Sequence, residues 1–532
     1  MHRRQLLRLG LAGGSLVASG EWLLARAKAA QQEAAWEQFS NQRPFQLPIT
    51  PNTTQLEITT TPVQVFGRSV MRGAILQTSG ERGYRTTRQD GVDVVVTNRL
   101  AVPTTLHFHG LILPNAMDGV PFTTQPPIPP GERLRLRFPL QQDGTFWLHS
   151  HYGLQAQSFV AEPLLISTPD QDRWADHSFT VMLRDFSYTP AERILRNLVN
   201  GERGGGTAMA RQLARFPWHQ PRPLRVQTWD EGAQRFRWEE RSGVLMQPDV
   251  IFDALLANER TLDDPQVLDV EPGETVVVRW IAGSSFINFF LDLGELDAEL
   301  LRTDANPVQP IRGSLFQLAL AQRLSLRITM PEKPGFYPLL AYGDRSQQRC
   351  GVILRSGLKG TPLPLSPVSE LWSGELTSSQ DLRLQASRPL AERAADMTVP
   401  VTLNGPKPPY RWGLNHRFYP YRDPIQIEQG QRVELELINH TPMGHPMHLH
   451  GHEFQLVAIN DQPIQGPIRD TVFVPKGERV RIALDADDPG IWAFHCHISD
   501  HHARGMFNVV SYRQADLRWW DPEATHHEQS GI

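Results

Sequence analysis

Residues 495–506 read HCHISDHHARGM, and the first three letters decide how much of the remaining chain is interpreted. In an extended strand successive side chains point to opposite faces, so His495 and His497 would face one way and Cys496 the other. One tripeptide would then serve two sites. On the Cys496 side His501 and Met506 follow after a turn, and a thiolate, an imidazole and a weak thioether are the donors of a blue copper centre. The histidine side needs partners from elsewhere.

Three more His-x-His pairs supply them: His107 and His109 in LHFHG, His149 and His151 in LHSHYG, and His448 and His450 in HPMHLHGH. In the last stretch His445 is out of phase with His448 and His450, so on a strand it points toward the Cys496 face. Eight paired histidines can therefore hold a cluster of metals, while His445, Cys496, His501 and Met506 hold one separate metal. His440 and His452 read as structural or exposed, and the His526-His527 pair carries little information.

The surrounding sequence alternates short apolar runs with Gly, Pro and Asp punctuation, the pattern of an all-β sandwich or barrel. It also repeats. A turn followed by a strand recurs as PPGERLRLRF around Gly131, EPGETVVVRW around Gly273 and EQGQRVELEL around Gly430. A second unit recurs as DGTFWLHSH from Asp143, PGFYPLLAY from Pro334 and PGIWAFHCH from Pro489. Aligning Gly144, Gly335 and Gly490 superposes His149-Ser150-His151, Leu340-Ala341-Tyr342 and His495-Cys496-His497. The first copy has a serine where the third has its cysteine, and the middle copy has lost both histidines and the cysteine. Three sandwiches follow, with metal in the third and between the first and third.

These motifs are similar to those of the multicopper oxidases, the family of laccases, bacterial cuprous oxidases and copper-resistance oxidases, and the resemblance runs through nearly the whole mature chain. It implies three cupredoxin-like Greek-key β-sandwich domains, and shifts in composition bound them at 45–169, 174–356 and 395–518, with a Pro, Ser and Leu-rich linker at 357–394. It implies four coppers per chain. The type 1 copper falls to His445, Cys496 and His501, with Met506 axial. The type 2 copper falls to His107 and His448, one type 3 copper to His109, His149 and His497, and the other to His151, His450 and His495. Asp118 matches an aspartate that relatives place near the type 2 copper and use in proton supply, although Asp118-Gly119 also reads as a hairpin pair. Many relatives carry a glutamate immediately after the second type 1 histidine. This chain has His502 there, so His502 or Asp500 becomes the candidate for that part of the proton route.

Length and composition set the frame. At 532 residues the chain is too long for one ordinary domain, and its 40% hydrophobic and 21% charged content is that of a globular protein. A net charge of -4 gives no argument for nucleic acid or an anionic membrane. Residues 1–30 begin MHRRQLLRLGLAGG, carry Arg3 and Arg4 before a mildly apolar run, and end near Ala27-Lys28-Ala29, which reads as a twin-arginine export signal. The implied location is the periplasm or another exported destination of the twin-arginine pathway, with the twin-arginine translocation machinery as a partner and no stable membrane insertion. A monomer is expected. Cys350 reads as a buried apolar residue, leaving Cys496 free for metal. An Arg-rich insertion at 190–243, containing Gly204, Gly205 and Gly206, reads as a solvated surface excursion.

The resemblance implies one-electron oxidation of a reductant coupled to reduction of dioxygen. Its 11 methionines are scattered, except for Met443 and Met447 beside His445, and that pair reads as packing. Phenols and aromatic amines are therefore the expected reductants, with Cu(I) oxidation in copper tolerance as the alternative. A copper-storage protein and a copper-free cell-division scaffold are the readings from other classes; the retained ligands argue against the scaffold, and sparse thioethers against storage. A two-domain copper nitrite reductase is disfavoured by three repeats and one thiolate.

Overall fold

The structure is a computed structural model that describes residues 31–42, 45, 50, 52–167, 175–202, 219–246, 248–418, 421–513, 515 and 518. The expected signal segment, the Gly204–Gly206 run and the His526-His527 pair lie outside them, as do residues 168–174 around the first expected boundary. The architecture is all-β, built from three sandwiches, as the punctuated alternation predicts.

The sandwiches share one sheet order. In the first, Gly144–His149 lies between Ala161–Ser167 and His107–His109, and Tyr84–Thr87 runs parallel to Ala161–Ser167. In the second, Gly335–Gly343 lies between Arg349–Ser356 and Phe289–Asp292, with Gln266–Val270 parallel to Arg349–Ser356. In the third, Ile491–Cys496 lies between Phe507–Tyr512 and His445–Leu449, with Ile425–Ile427 parallel to Phe507–Tyr512. The second sequence unit is thus a repeat of topology. Its strands are interior in their sheets, and the two outer copies, Gly144–His149 and Ile491–Cys496, are buried on both faces, which explains their continuous apolar runs, whereas Gly335–Gly343 is half-buried along one face.

The first unit needs a correction. Thr275–Ala282 and Arg432–Asn439 each pair in parallel with the opening strand of their sandwich and antiparallel with a later strand. In the first sandwich that place belongs to Val92–Asn98, which is parallel to Thr54–Val65 and antiparallel to Arg133–Phe138. The strand in PPGERLRLRF is instead equivalent to Arg323–Thr329 and Arg479–Asp485. A turn followed by an alternating strand occurs twice in a sandwich, so the turn signature by itself cannot tell the two apart.

The 190–243 insertion also departs from its reading. Helix Ala191–Val199 buries Ile194, Leu195 and Leu198, and it shares an apolar cluster with Leu154 and Ala503. Strands Arg222–Asp230 and Arg235–Gly243 form a hairpin joined to Trp372–Ser373 of the following connection. Apolar residues at helical spacing among the arginines carried that information.

Tight backbone turns follow two of the histidine pairs, and the one at Gly110 abuts Asp470 of the third sandwich. Gly110 and Gly451 both have positive φ, +88° and +64°. A Cβ on Gly451 would lie 2.4 Å from the ring of Trp492, which is itself buried. Gly451→Ala combines that overlap with a strained φ, and we expect it to destabilise the protein by about 1–3 kcal/mol and lower its thermal midpoint. An unchanged melting curve would mean that the turn can relax away from Trp492.

Candidate metal centres

Strands His445–Leu449 and Ile491–Cys496 pair with Met447 opposite Cys496 and His448 opposite His495. Alternation therefore puts His445, Met447 and Cys496 on one face. Helix Ser499–Ala503 brings His501 back to that face. Cys496 Sγ lies 3.5 Å from His445 Nδ1 and 3.9 Å from His501 Nδ1, and the two nitrogens are 3.3 Å apart. Met506 is fully buried; its N–H donates to the His501 carbonyl and its carbonyl accepts from the Cys496 N–H. The loop that carries these donors is thus tied back onto the strand.

Of the outward nitrogens of this group, that of His445 is hydrogen-bonded and that of His501 only faces a carboxylate. His445 Nε2 is 2.6 Å from Thr441 Oγ1, and His501 Nε2 is 3.6 Å from Asp249 Oδ2. Trp412 stacks on His501 at 3.8 Å. Burial pushes the Cys496 thiol up, and burial lowers His445 and His501, although Asp249 partly offsets the fall at His501. Burial alone would raise Asp249, but His501 and Tyr410 outweigh it and leave this carboxyl below its ordinary range. In a dry site like this a thiol keeps its proton until a metal displaces it.

On the opposite face eight histidines converge from four strand ends. His495 Nε2 lies 3.1 Å from His450 Nε2 and 3.3 Å from His151 Nε2. The rings of His107 and His450 stack at 3.9 Å, and those of His109 and His448 at 3.8 Å. The ring of His497 is 5.0 Å from that of His109 and 5.2 Å from that of His149. His107, His448 and His450 each offer a donor atom within 4.8 Å of the others, as do His107, His109 and His149.

Hydrogen bonds on the far side of the rings fix which nitrogen faces inward. His107 Nδ1 donates to the Asp118 carbonyl (2.7 Å) and His448 Nδ1 to the Asp470 carbonyl (2.8 Å). His149 and His495 donate through Nδ1 to the carbonyls of Ser150 and Cys496, both at 3.0 Å. His450 Nδ1 meets Asp118 Oδ2 at 2.9 Å, and His109 Nε2 meets Asp470 Oδ1 at 3.1 Å. The opposite nitrogens of His107, His448 and His149 (Nε2) and of His109 (Nδ1) are buried without a hydrogen-bond partner, as is His497 Nε2. Such orphans are costly in a dry interior. A metal would satisfy them, and the outer hydrogen bonds on His107, His109, His149, His448, His450 and His495 are the usual accompaniment of ligating imidazoles.

Desolvation, reinforced by neighbouring imidazoles, holds His109, His149, His151, His448, His450 and His497 well below the ordinary histidine range, and His495 at about 4. At neutral pH the rings are free bases, ready to ligate. Asp118 is fully buried and closes the 3-10 turn Asn115–Met117 instead of heading a hairpin. From there it orients both His107 and His450. His502 stacks on His495 at 4.3 Å and on Phe507 at 5.1 Å, and a cavity of about 30 Å³ lined by Ser150, His151, His495 and His502 reaches the cluster. Asp500 is buried and burial raises it to about 8. His452 is buried against Tyr512 (2.7 Å), and His440 is exposed. The sequence reading missed Asp249, Thr441, Asp470 and Thr471, none of which has ligand spacing; a lone aspartate heading the apolar run DTVFV was the available signal for Asp470.

Three family models described as multicopper oxidase match residues 84–171, 219–353 and 392–516, together well over half of the chain. The chain is 27% identical to the multicopper oxidase MmcO of Mycobacterium tuberculosis over 96% of each sequence. It is 25% identical to a copper resistance protein A homolog of Pseudomonas syringae pv. tomato, over 86% of this chain and 92% of that one. Among solved structures, Fet3p, a multicopper oxidase that functions in iron import, superposes with a TM-score of 0.68 at 18% identity, covering 90% of this chain and 94% of Fet3p. The laccase from Botrytis aclada gives 0.65 at 20%, covering 91% and 92%. Both share the fold.

Neutral imidazoles and a protonated thiol make a measurable prediction. Loading copper into the metal-free protein near neutral pH should release about one proton per chain more from wild type than from Cys496→Ser, because burial keeps the Cys496 thiol protonated until metal binds and a serine hydroxyl does not ionise in its place. A pH-stat titration reads the difference, and equal release from both proteins would mean that Cys496 takes no part in binding.

Proposed function

Because this chain belongs to the multicopper oxidases, whose cofactor is copper, we propose that it removes electrons singly from a small reductant at the Cys496 group and reduces dioxygen by four electrons to water at the histidine cluster. In this reading His445, Cys496, His501 and Met506 hold the type 1 copper and His107 and His448 the type 2 copper. His109, His149 and His497 hold one type 3 copper, and His151, His450 and His495 the other. The carrying observation is the tripeptide itself. Cys496 Sγ points to one donor group while both its covalent neighbours point to the other. The two sites therefore share a covalent path. Asp118, bonded through its carbonyl to His107 and through its carboxylate to His450, keeps an acidic group within reach of the cluster.

Phenols and aromatic amines are the proposed reductants. Asp249 Oδ2, beside the His501 edge, already accepts the phenolic hydroxyl of Tyr410 at 2.7 Å, which supports a phenol as its partner chemistry. The residues on either side of it, Pro248 and Val250, line a cavity of about 90 Å³ together with Ile251, Phe252, Ile287 and Trp372. Met443 and Met447 are buried in the core, so their thioethers are not offered to a metal ion outside. Cu(I) oxidation in copper tolerance is the second reading, and the similarity to proteins named copper resistance protein A favours it.

The copper-bearing domains would be 45–169 and 395–518, with 174–356 copper-free. Export through a twin-arginine signal in residues 1–30 to the periplasm completes the reading, and no helix among the described residues is long and apolar enough to cross a membrane.

Purified protein should carry about four coppers and a visible thiolate-to-copper band. Oxygen uptake should run faster with a phenol than with Cu(I). The reverse preference would move the protein to copper tolerance, and absence of bound copper after reconstitution would leave a scaffold. Cys496→Ser should lose the visible band and turnover while keeping copper in the cluster; full turnover in that variant would disprove the electron route.

A further inference from the structure

The middle sandwich has no ligand, yet one of its side chains reaches the histidine cluster. Three equivalent turns precede Arg133–Phe138, Arg323–Thr329 and Arg479–Asp485. Each is closed by one backbone hydrogen bond, Glu132 N–H to the Pro129 carbonyl (3.1 Å), Gln322 to Ala319 (3.0 Å) and Glu478 to Pro475 (3.2 Å). Each strand opens on an arginine. The outer copies use glycine at the positive-φ position, Gly131 and Gly477, and their arginines reach solvent. The middle copy has Ala321 there at φ +71°, and its Arg323 is 1% exposed.

Arg323 spans all three sandwiches. Its Nη1 and Nη2 donate to Oδ1 (2.8 Å) and Oδ2 (2.5 Å) of Asp470 in the third, and its Nε donates to the Thr145 carbonyl (3.1 Å) in the first. Its own N–H is held by Asp304 Oδ1 at 2.9 Å, and Gln322 Nε2 donates to the Thr471 carbonyl at 3.0 Å. Asp470 Oδ1 in turn meets His109 Nε2 at 3.1 Å and accepts from Thr471 Oγ1 at 2.9 Å. The Asp470 carbonyl accepts from His448 Nδ1. Gly110, directly after His109, admits this approach, since a Cβ there would lie 2.4 Å from Asp470 Oδ2 and 2.7 Å from Arg323 Nη2.

A buried ion pair is weak evidence for stability, because desolvation consumes most of its attraction and apolar packing often serves as well. A two-pronged guanidinium does something packing cannot: it fixes the plane of a carboxylate. We propose that Arg323 is a positioning residue for the histidine cluster, supplied by the copper-free domain, which clamps Asp470 so that its Oδ1 holds His109 by Nε2 and turns Nδ1 inward. Without the clamp the Asp470 carboxylate can rotate away, and His109 loses the contact that selects its tautomer. The same strand, Thr471 included, sets His448.

This rests on His109 and His448 being copper ligands, and the test separates the two claims. Copper content, the paramagnetic signal of the cluster and the rate at which the Cys496 site is reduced without oxygen are compared in wild type, Arg323→Lys and the double variant Arg323→Met/Asp470→Asn. The double variant removes one charge of each sign and leaves Asp304, which Arg323 also faces at 3.6 Å, beside Arg469 at 3.8 Å, and Arg323→Lys keeps the charge without the fork. Both should bind cluster copper about 10–100-fold more weakly than wild type, with an altered paramagnetic signal, while the visible band of the Cys496 site and its reduction rate stay unchanged. A wild-type protein that loads only the Cys496 site would overturn the ligand assignment and this inference with it. Full loading of wild type beside an Arg323→Lys protein of equal affinity and identical signal would overturn this inference alone.

Discussion

A strand gives successive residues opposite faces, and at His495-Cys496-His497 this makes two sites inseparable. Cys496 cannot turn toward His445 without sending His495 and His497 to the other side. A one-residue slip of Ile491–Cys496 against His445–Leu449 would exchange the faces and destroy both constellations together. The register is held by burial on both sides of the strand, since every residue of Ile491–Cys496 is buried, and by the flanking antiparallel strand Phe507–Tyr512. Packing and ligation thereby select the same register.

The second constraint is dryness. The cluster lies where the outer sandwiches meet, and the desolvation that keeps its imidazoles neutral also makes each unpaired ring nitrogen expensive. The outward nitrogens of His107, His109, His149 and His448 escape that cost through carbonyls and through Asp470; their inward nitrogens do not. The chain is therefore built around atoms that are satisfied only by something it does not itself contain. Near Cys496 the same dryness acts on a thiol, which stays protonated until metal replaces the proton.

What the sequence could reveal was whatever repeats or has fixed local spacing. The four His-x-His pairs, Cys496 with its two neighbours and the three-sandwich order are all short-range patterns, and they are found together in space. His445 was placed on the Cys496 face by phase alone, which the pairing of Met447 with Cys496 supports. Contacts between distant segments left no such trace. His501 and Asp249 are far apart in the chain, and so are His109 and Asp470. The turn repeat misled because its signature occurs twice in a sandwich, and the insertion misled because its arginines obscured an apolar helical face.

Duplication explains the division of labour among the three sandwiches. One topology supplies the same three strands to each copy, yet the equivalent tripeptides are His149-Ser150-His151, Leu340-Ala341-Tyr342 and His495-Cys496-His497. A copy without ligands could be discarded only if it did nothing else for the interface. Its turns do something else: Ala305 packs into the apolar core of the first sandwich, Asp304 Oδ2 accepts from the Thr471 N–H of the third at 3.3 Å, and Arg323 bonds to both. The outer sandwiches contribute ligands that must face one another across a gap of a few ångströms. A third body wedged beside that gap can fix their separation more rigidly than two surfaces in contact, because its own core resists compression. The contacts of the middle copy at this interface depend on shape and buried charge and not on donor atoms.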